Sequence, residues 1–149
     1  MKPVHPESLK VMERSLFSAQ HCFVENLRSG GLLSATEHFI LEQWFKQAAP
    51  TTKVDLIVYL KSDPALVAGR IRARARPEEA ALSLEVLTAL NERHEDWLVR
   101  GKWGPLPAPV FVVDANTPLE QVVAHYQAQT EEILSKHLPS LASGLKQEA

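Results

Sequence analysis

Seven consecutive residues, Val54-Asp55-Leu56-Ile57-Val58-Tyr59-Leu60, are apolar almost throughout and rich in β-branched and aromatic side chains. A strand with one face in water alternates polar and apolar residues. This run does not, so it reads as a strand covered on both faces. Two-sided cover implies a parallel sheet with helices above and below it. A second run, Val110-Phe111-Val112-Val113, ends at Asp114, and a shorter one, Leu9-Lys10-Val11-Met12, ends at Glu13-Arg14. Both are read as further strands.

Helical segments fill the intervals. One runs from about Ser15 to Arg28, with Leu16, Ala19, Phe23 and Leu27 on one face and Cys22 beside it, and Ser29-Gly30-Gly31 stops it. Another runs from about Ala35 to Gln47, with Phe39, Ile40, Trp44 and Phe45 as a wide apolar face. Asp63 as N-cap and Pro64 at the first helical position open a third. Ser83 caps a fourth, from Leu84 to about Val99, and Pro118 begins a fifth that ends near His137. The order strand, helices, strand, helix, helix, strand, helix is an α/β pattern. Ligands in such sheets bind at the carboxyl ends of the strands. Glu13-Arg14, Lys61 to Asp63 and Asp114 to Asn116 lie at those ends.

A length of 149 residues fits one domain with a real core, and a net charge of -2 disfavours nucleic acid as a partner for the whole surface. The single cysteine, Cys22, forms no intrachain disulfide and points to a reducing compartment. No apolar run is long enough to span a membrane, so none is expected as a partner. The first residues show neither an apolar signal core nor an amphipathic, arginine-rich leader.

Against the near-neutral total, four arginines fall in seven residues: Arg70, Arg72, Arg74 and Arg76, followed by Pro77, Glu78 and Glu79. Guanidinium groups brought this close repel unless an anion or solvent relieves them. They are also the preferred partners of phosphate, through bidentate charge-assisted hydrogen bonds. Two readings stand: an anion site, or a set of salt bridges with the adjacent glutamates. Glu13-Arg14-Ser15 allows a similar pair. A carboxylate there suits hydrated Mg²⁺ and an arginine suits a transferring phosphoryl group, while an ordinary ion pair before a capping serine needs neither. Phe17, Phe23, Phe39, Trp44 and Phe45 could stack a nucleobase or fill the core. The histidines show no metal-ligand spacing. There is no G-x-x-x-x-G-K-[ST] phosphate loop; the paired glycines, Gly30-Gly31, follow a helix and lack the lysine.

In one order, Met12-Glu13-Arg14-Ser15-Leu16-Phe17-Ser18-Ala19, Cys22-Phe23-Val24-Glu25-Asn26, Val54 to Leu60, Arg70 to Glu79, and His94-Glu95-Asp96-Trp97-Leu98 resemble the deoxyribonucleoside kinase family. The resemblance covers about residues 9 to 135 and is strongest to the thymidine kinase 2 and insect multisubstrate kinase branch. It implies transfer of the γ-phosphoryl group of ATP, with Mg²⁺, to the 5′-hydroxyl of a deoxynucleoside. By this resemblance Arg14 sits near the 5′-hydroxyl and phosphates, and Glu13 helps order the metal through water. Arg70, Arg74 and Arg76 form a lid over the ATP phosphates, with Arg72 solvated. Glu79 contacts the deoxyribose, and Ala19, Phe23 and Leu27 line the base pocket. Asp114 and Asn116 lie in the loop near adenine.

Ala19 matches the thymidine-accepting branch, where a small residue leaves room for a pyrimidine; thymidine and deoxycytidine are the implied substrates. Gln20 and His21 depart from the arginine-aromatic pair usual there. The family's first strand, glycine-rich loop and Glu-Pro base segment are not matched. The expected fold is therefore an α/β, P-loop-kinase-like parallel sheet with flanking helices, lacking its first strand and P-loop. Residues 1–8 form a lead-in, residues 9–137 a partial kinase domain and residues 138–149 a flexible tail. A homodimer in the mitochondrion or cytoplasm is implied, with little activity from this chain alone. Two other readings are a non-catalytic partner of a full-length kinase and an arginine-rich nucleic-acid binder. Six or so acidic residues near the arginines disfavour the latter.

Overall fold

The computed structural model describes residues 10–137. Leu9, the lead-in and the tail expected from the sequence lie outside these residues. Helix α1 runs through three stretches: α-helical Leu16–Ser18, a π-helical Ala19–Val24 and α-helical Glu25–Ser29. Helix α2 is Ala35–Ala48, followed by the 3₁₀ turn Ala49–Thr51. Strand β1 is Ile57–Lys61, helix α3 is Pro64–Arg74, and a 3₁₀ turn spans Pro77–Glu79. Helix α4 is Leu84–His94 and widens into a π-helical Glu95–Val99. Strand β2 is Val110–Asp114 and helix α5 is Leu119–His137.

Local chemistry explains the boundaries. Ser15 and Ser18 satisfy each other's backbone N–H groups at the start of α1, and Ser34 and Glu37 do the same for α2. At the end of α1, the Leu32 N–H donates to the Leu27 carbonyl (2.9 Å) and the Gly31 N–H to that of Arg28 (3.1 Å). This paired closure needs a left-handed residue, and Gly31 supplies it at φ 70°. Asp63 caps α3, with Pro64 following, as the sequence predicts.

Helix α3 ends on Ala75 at φ 53°, ψ 40°, where a glycine is the usual choice. A Cβ in that region costs about 1–2 kcal/mol, part of which a glycine recovers. Ala75→Gly is therefore expected to raise the unfolding free energy by about 0.5–1 kcal/mol. Urea titration measures this; a loss of stability would show that the left-handed turn is not formed in solution.

β1 and β2 pair in parallel, from Ile57 opposite Val110 to Lys61 opposite Asp114. β1 starts at Ile57 rather than Val54. Its first ladder bond runs from the Ile57 N–H to the Pro109 carbonyl (2.9 Å), and Pro109, having no N–H, ends the ladder there. The strand expected over Leu9 to Met12 does not form at residues 10–12. A strand persists only where a neighbour takes its backbone hydrogen bonds, and among the described residues the sheet consists of β1 and β2 alone. Val11 is instead 83% exposed.

The expected two-sided cover is also only partly realised. Tyr59 packs with Cys22, Trp97 and Leu98 beneath β1, while Phe111 meets Tyr126 of α5 at 6.4 Å. Val113 is fully buried, yet Val58, Leu60 and Val112 are exposed. Helices thus cover one face of the sheet at β1 and the opposite face at β2. The main core is the Cys22–Tyr59–Trp97–Leu98 cluster, with Phe17, Phe23, Ile57, Leu106 and Val110 around it. Cys22 is a buried apolar filler, its thiol pushed up to about 12 by burial, with Arg93 pulling the other way. Of the aromatics read as core or stacking groups, Phe17 and Phe45 meet edge to face at 5.7 Å, whereas Phe39 and Trp44 are exposed.

Candidate active site

The residues singled out from the sequence gather into three groups. In the first, Glu13 and Arg14 precede α1, their side chains 3.8 Å apart and both largely in solvent. Arg14 has a left-handed backbone, φ 59°. A bulky residue holds that conformation only where its surroundings impose it, and such strain concentrates at functional sites. Its guanidinium lies over the Phe23 ring, 4.5 Å from the centroid, a cation–π contact. Ala19 and Leu27 are exposed and Phe23 is half-buried, while Ser18, Gln20 and Cys22 face the interior. The π-helical stretch of α1 sets this division. It turns the Ala19–Phe23–Leu27 face outward beside Arg14 and sends Cys22 into the core.

The second group sits at the carboxyl ends of the strands. Asp114 accepts from the backbone N–H of Asn116 (2.9 Å) and from its side-chain amide (2.8 Å). The Asn116 amide oxygen accepts from the Asp63 N–H (2.7 Å), and the Ser62 hydroxyl donates to the Ala115 carbonyl (3.2 Å). Arg70 donates to the Thr117 carbonyl (3.1 Å). The loop after β2 is thereby fastened to the start of α3. The side chains of Asp114 and Asn116 both take part in that fastening.

The third group is the arginine turn. Arg74 forks onto the Glu79 carboxylate, with contacts of 2.6, 2.7 and 3.1 Å, and Arg76 lies 3.8 Å from it. Arg72 makes no ion pair among the described residues. It borders an open cleft of about 520 Å³, with Ala68, Ile71, Arg76 and Leu82 among its walls. The four arginines therefore follow neither sequence reading alone. Two of them share one glutamate, one braces a loop and one faces solvent. Arg70 ties the arginine helix to the second group through Thr117, and no hydrogen bond or ion pair among the described residues joins either to Glu13 and Arg14.

Sequence reasoning missed a fourth feature. Glu95, buried at the end of α4, accepts from the Tyr59 hydroxyl (2.9 Å) and from Lys61 Nζ (2.7 Å). Burial alone would raise its carboxyl. The hydrogen bonds from Lys61 and Tyr59 and the charges of Lys61 and Arg100 outweigh that and hold it below the usual range. Burial and the same contact push the Tyr59 phenol well up. The signal available was Lys61, a charge closing an apolar strand. Next to this, burial lowers the basicity of His21, which lies between Trp97 (5.2 Å) and Trp103 (5.6 Å).

No group of three or more His, Cys, Asp or Glu side chains among the described residues could hold a metal. The exposed carboxylate of Glu13 suits the single-carboxylate, largely hydrated way in which Mg²⁺ travels with phosphates. No helix among the described residues is long and apolar enough to cross a membrane.

Comparison with known proteins gives a consistent result. The family model described as deoxynucleoside kinase matches residues 1–139. Mitochondrial thymidine kinase 2 of Homo sapiens is 36% identical over 138 residues, covering 89% of this chain and 52% of that protein. Deoxycytidine kinase of Rattus norvegicus is 34% identical over 132 residues, with 83% and 51% covered. Deoxycytidine kinase 2 of Gallus gallus is 32% identical over 121 residues, with 75% and 45% covered. The chain spans about half the length of the curated relatives it matches.

Proposed function

This chain belongs to the deoxynucleoside kinase family, and we propose that it carries the nucleoside face and phosphate lid of an enzyme that phosphorylates a pyrimidine deoxynucleoside at its 5′-hydroxyl. ATP, with its Mg²⁺, is the donor in this reading, and thymidine or deoxycytidine the acceptor. One observation carries it most: Arg14, on a strained backbone, stands over Phe23 beside the open Ala19–Phe23–Leu27 face. An exposed apolar surface there suits a base, and the small Ala19 leaves room for it. The guanidinium suits charge on a transferring phosphoryl group, and Glu13 suits the hydrated Mg²⁺ that ATP brings. Arg70, Arg74 and Arg76 supply positive charge for the remaining phosphates, and Glu79 a hydrogen-bond acceptor for the sugar. Phosphoryl transfer depends on positioning and charge stabilisation. Without a glycine-rich phosphate loop in its 149 residues, the chain alone is expected to turn over little or no thymidine.

The test combines binding and turnover. Thymidine titrated into the labelled chain is expected to shift the amide signals of residues 19, 23 and 27, and Ala19→Trp to abolish those shifts. Shifts confined to other surfaces would remove the nucleoside reading. Family-like turnover by the isolated chain would refute the expectation of inactivity.

The reading carries with it a homodimer, in the mitochondrion or cytoplasm; the mitochondrial thymidine kinase 2 relatives support the former. A non-catalytic role as partner of a full-length kinase draws support from a different surface, on α2. Phe39, Ile40 and Trp44 of α2 stand 58%, 49% and 70% exposed on one helix, and clustered exposed apolar side chains mark interaction surfaces. Trp44→Glu is expected to shift light-scattering mass toward the monomer with helicity unchanged; an unchanged mass would rule this helix out of the interface.

A further inference from the structure

We infer that His94 is a positioning residue for the nucleoside face: its ring fixes the plane of Phe23, and Phe23 in turn holds the Arg14 guanidinium. The geometry runs in one line from the interior outward. His94 Nδ1 lies 2.7 Å from the Leu90 carbonyl oxygen. A carbonyl only accepts, so Nδ1 carries the proton and donates it. That bond, one helical turn back, fixes the tilt of the imidazole. The opposite constraint comes from β1. The His94 and Tyr59 rings stack almost parallel, 8° apart with centroids at 5.9 Å. Tyr59 is itself immobilised by burial and by its hydroxyl bond to Glu95, whose second oxygen takes Lys61.

The Phe23 ring meets the plane so defined edge to face, at 84° and 6.1 Å. This is the arrangement that aromatic quadrupoles favour. Arg14 lies over Phe23 at 4.5 Å, and its one ion pair among the described residues is with Glu13, at 3.8 Å. The Phe23 ring is therefore the chief anchor of a guanidinium that is 64% exposed. Rotation of Phe23 would release Arg14, and His94 opposes that rotation. Among the described residues His94 has ring contacts with Phe23 and Tyr59 and its hydrogen bond with Leu90, and none of these is to Arg14, so it acts through another residue.

The geometric inference stands independently of the kinase reading; its consequence for nucleoside binding rests on that reading. The test uses the full chain. The side-chain protons of Arg14 are expected to show an upfield ring-current displacement in the wild type. Phe23→Leu should abolish it. His94→Leu should abolish it as well, while His94→Phe, which keeps a planar ring against Tyr59, should retain most of it. Tryptophan fluorescence and far-ultraviolet circular dichroism check that each variant is folded. In parallel, His94→Leu is expected to weaken thymidine binding by about two- to tenfold, with His94→Phe near the wild type. Persistence of the Arg14 displacement in His94→Leu overturns the inference, and so does its loss in a folded His94→Phe. Should His94→Leu not fold, the His94→Phe arm decides alone. If thymidine binds no form of the chain, the nucleoside reading falls while the Arg14 signal still decides the role of His94.

Discussion

Trp97→Ala is expected to lower the unfolding free energy by about 3–5 kcal/mol, the usual cost of deleting a large aromatic side chain from a core. Trp97 is 3% exposed and belongs to the cluster that joins α1, α4 and β1. Its indole also packs on His21, with centroids 5.2 Å apart. Removal therefore forfeits the transfer of a large apolar surface and leaves a cavity bordered by Cys22, Tyr59 and Leu98. A domain of this size has a total stability of about 5–15 kcal/mol, so the variant should be largely unfolded at modest urea concentration. Trp97→Phe, which keeps a ring in the same space, should retain more than half of the lost stability. A loss below about 1 kcal/mol in Trp97→Ala would mean that this cluster is not the stabilising core.

Glu95→Gln is expected to cost about 2–3 kcal/mol at pH 7, and much less at pH 3. The charge-assisted bond from Lys61 contributes on the order of 1.5–3 kcal/mol, because the acceptor is buried and ionised. Glutamine can still accept from Tyr59 but leaves Lys61 without its counter-charge. The pH dependence follows from linkage. The folded carboxyl titrates below its ordinary 4.5, so the unfolded chain binds its proton first as pH falls. The contribution is complete above pH 4.5, shrinks as pH drops through the lower folded value, and vanishes once both states are protonated. The measurement is the difference in urea midpoint between wild type and variant, taken at pH 7 and at pH 3. An equal difference at both pH values would show that the effect comes from shape rather than charge. The same network also underlies the His94 alignment, so Glu95→Gln should broaden the Arg14 signal without abolishing it.

Much of the fold is legible in the sequence wherever one residue type has only one favourable use. Ser15, Asp63 and Ser83 accept from the first helical turn, as their positions indicate, and Ser34 does the same for α2. The apolar runs ending at Leu60 and Val113 form strands because β-branched and aromatic residues pack well on a pleated surface. The run at residues 10–12 has similar local chemistry and forms none. Strand formation is not a property of the run alone; it requires a neighbour with free N–H and C=O groups. The same limit applies to the candidate site. Spacing singled out Arg14, Phe23 and the arginine turn and offered adjacent glutamates as partners of the arginines, but not the longer-range ones. Arg74 and Arg76 share Glu79 within the local turn, whereas the crossing of Arg70 to Thr117 depends on where α3 lies against the loop after β2.

The π-helical stretches mark the boundary most sharply. A period of 3.6 residues places Cys22 beside the Ala19–Phe23–Leu27 face, whereas the widened turn sends Cys22 fully inside and leaves Ala19 and Leu27 open. The wider turn after His94 likewise carries three buried residues, Glu95, Trp97 and Leu98, within four positions. By itself, then, the sequence determined the α/β class, the helix starts, the two strands and the family-like order of charged and aromatic motifs. These depend on short-range sterics, capping and periodicity, which a chain carries wherever it goes. The tertiary structure alone decided which strand found a partner, which helix face turned to solvent, and how Glu95, Tyr59 and His94 line up behind Phe23. Those outcomes depend on groups distant in sequence competing for the same buried volume and the same hydrogen bonds.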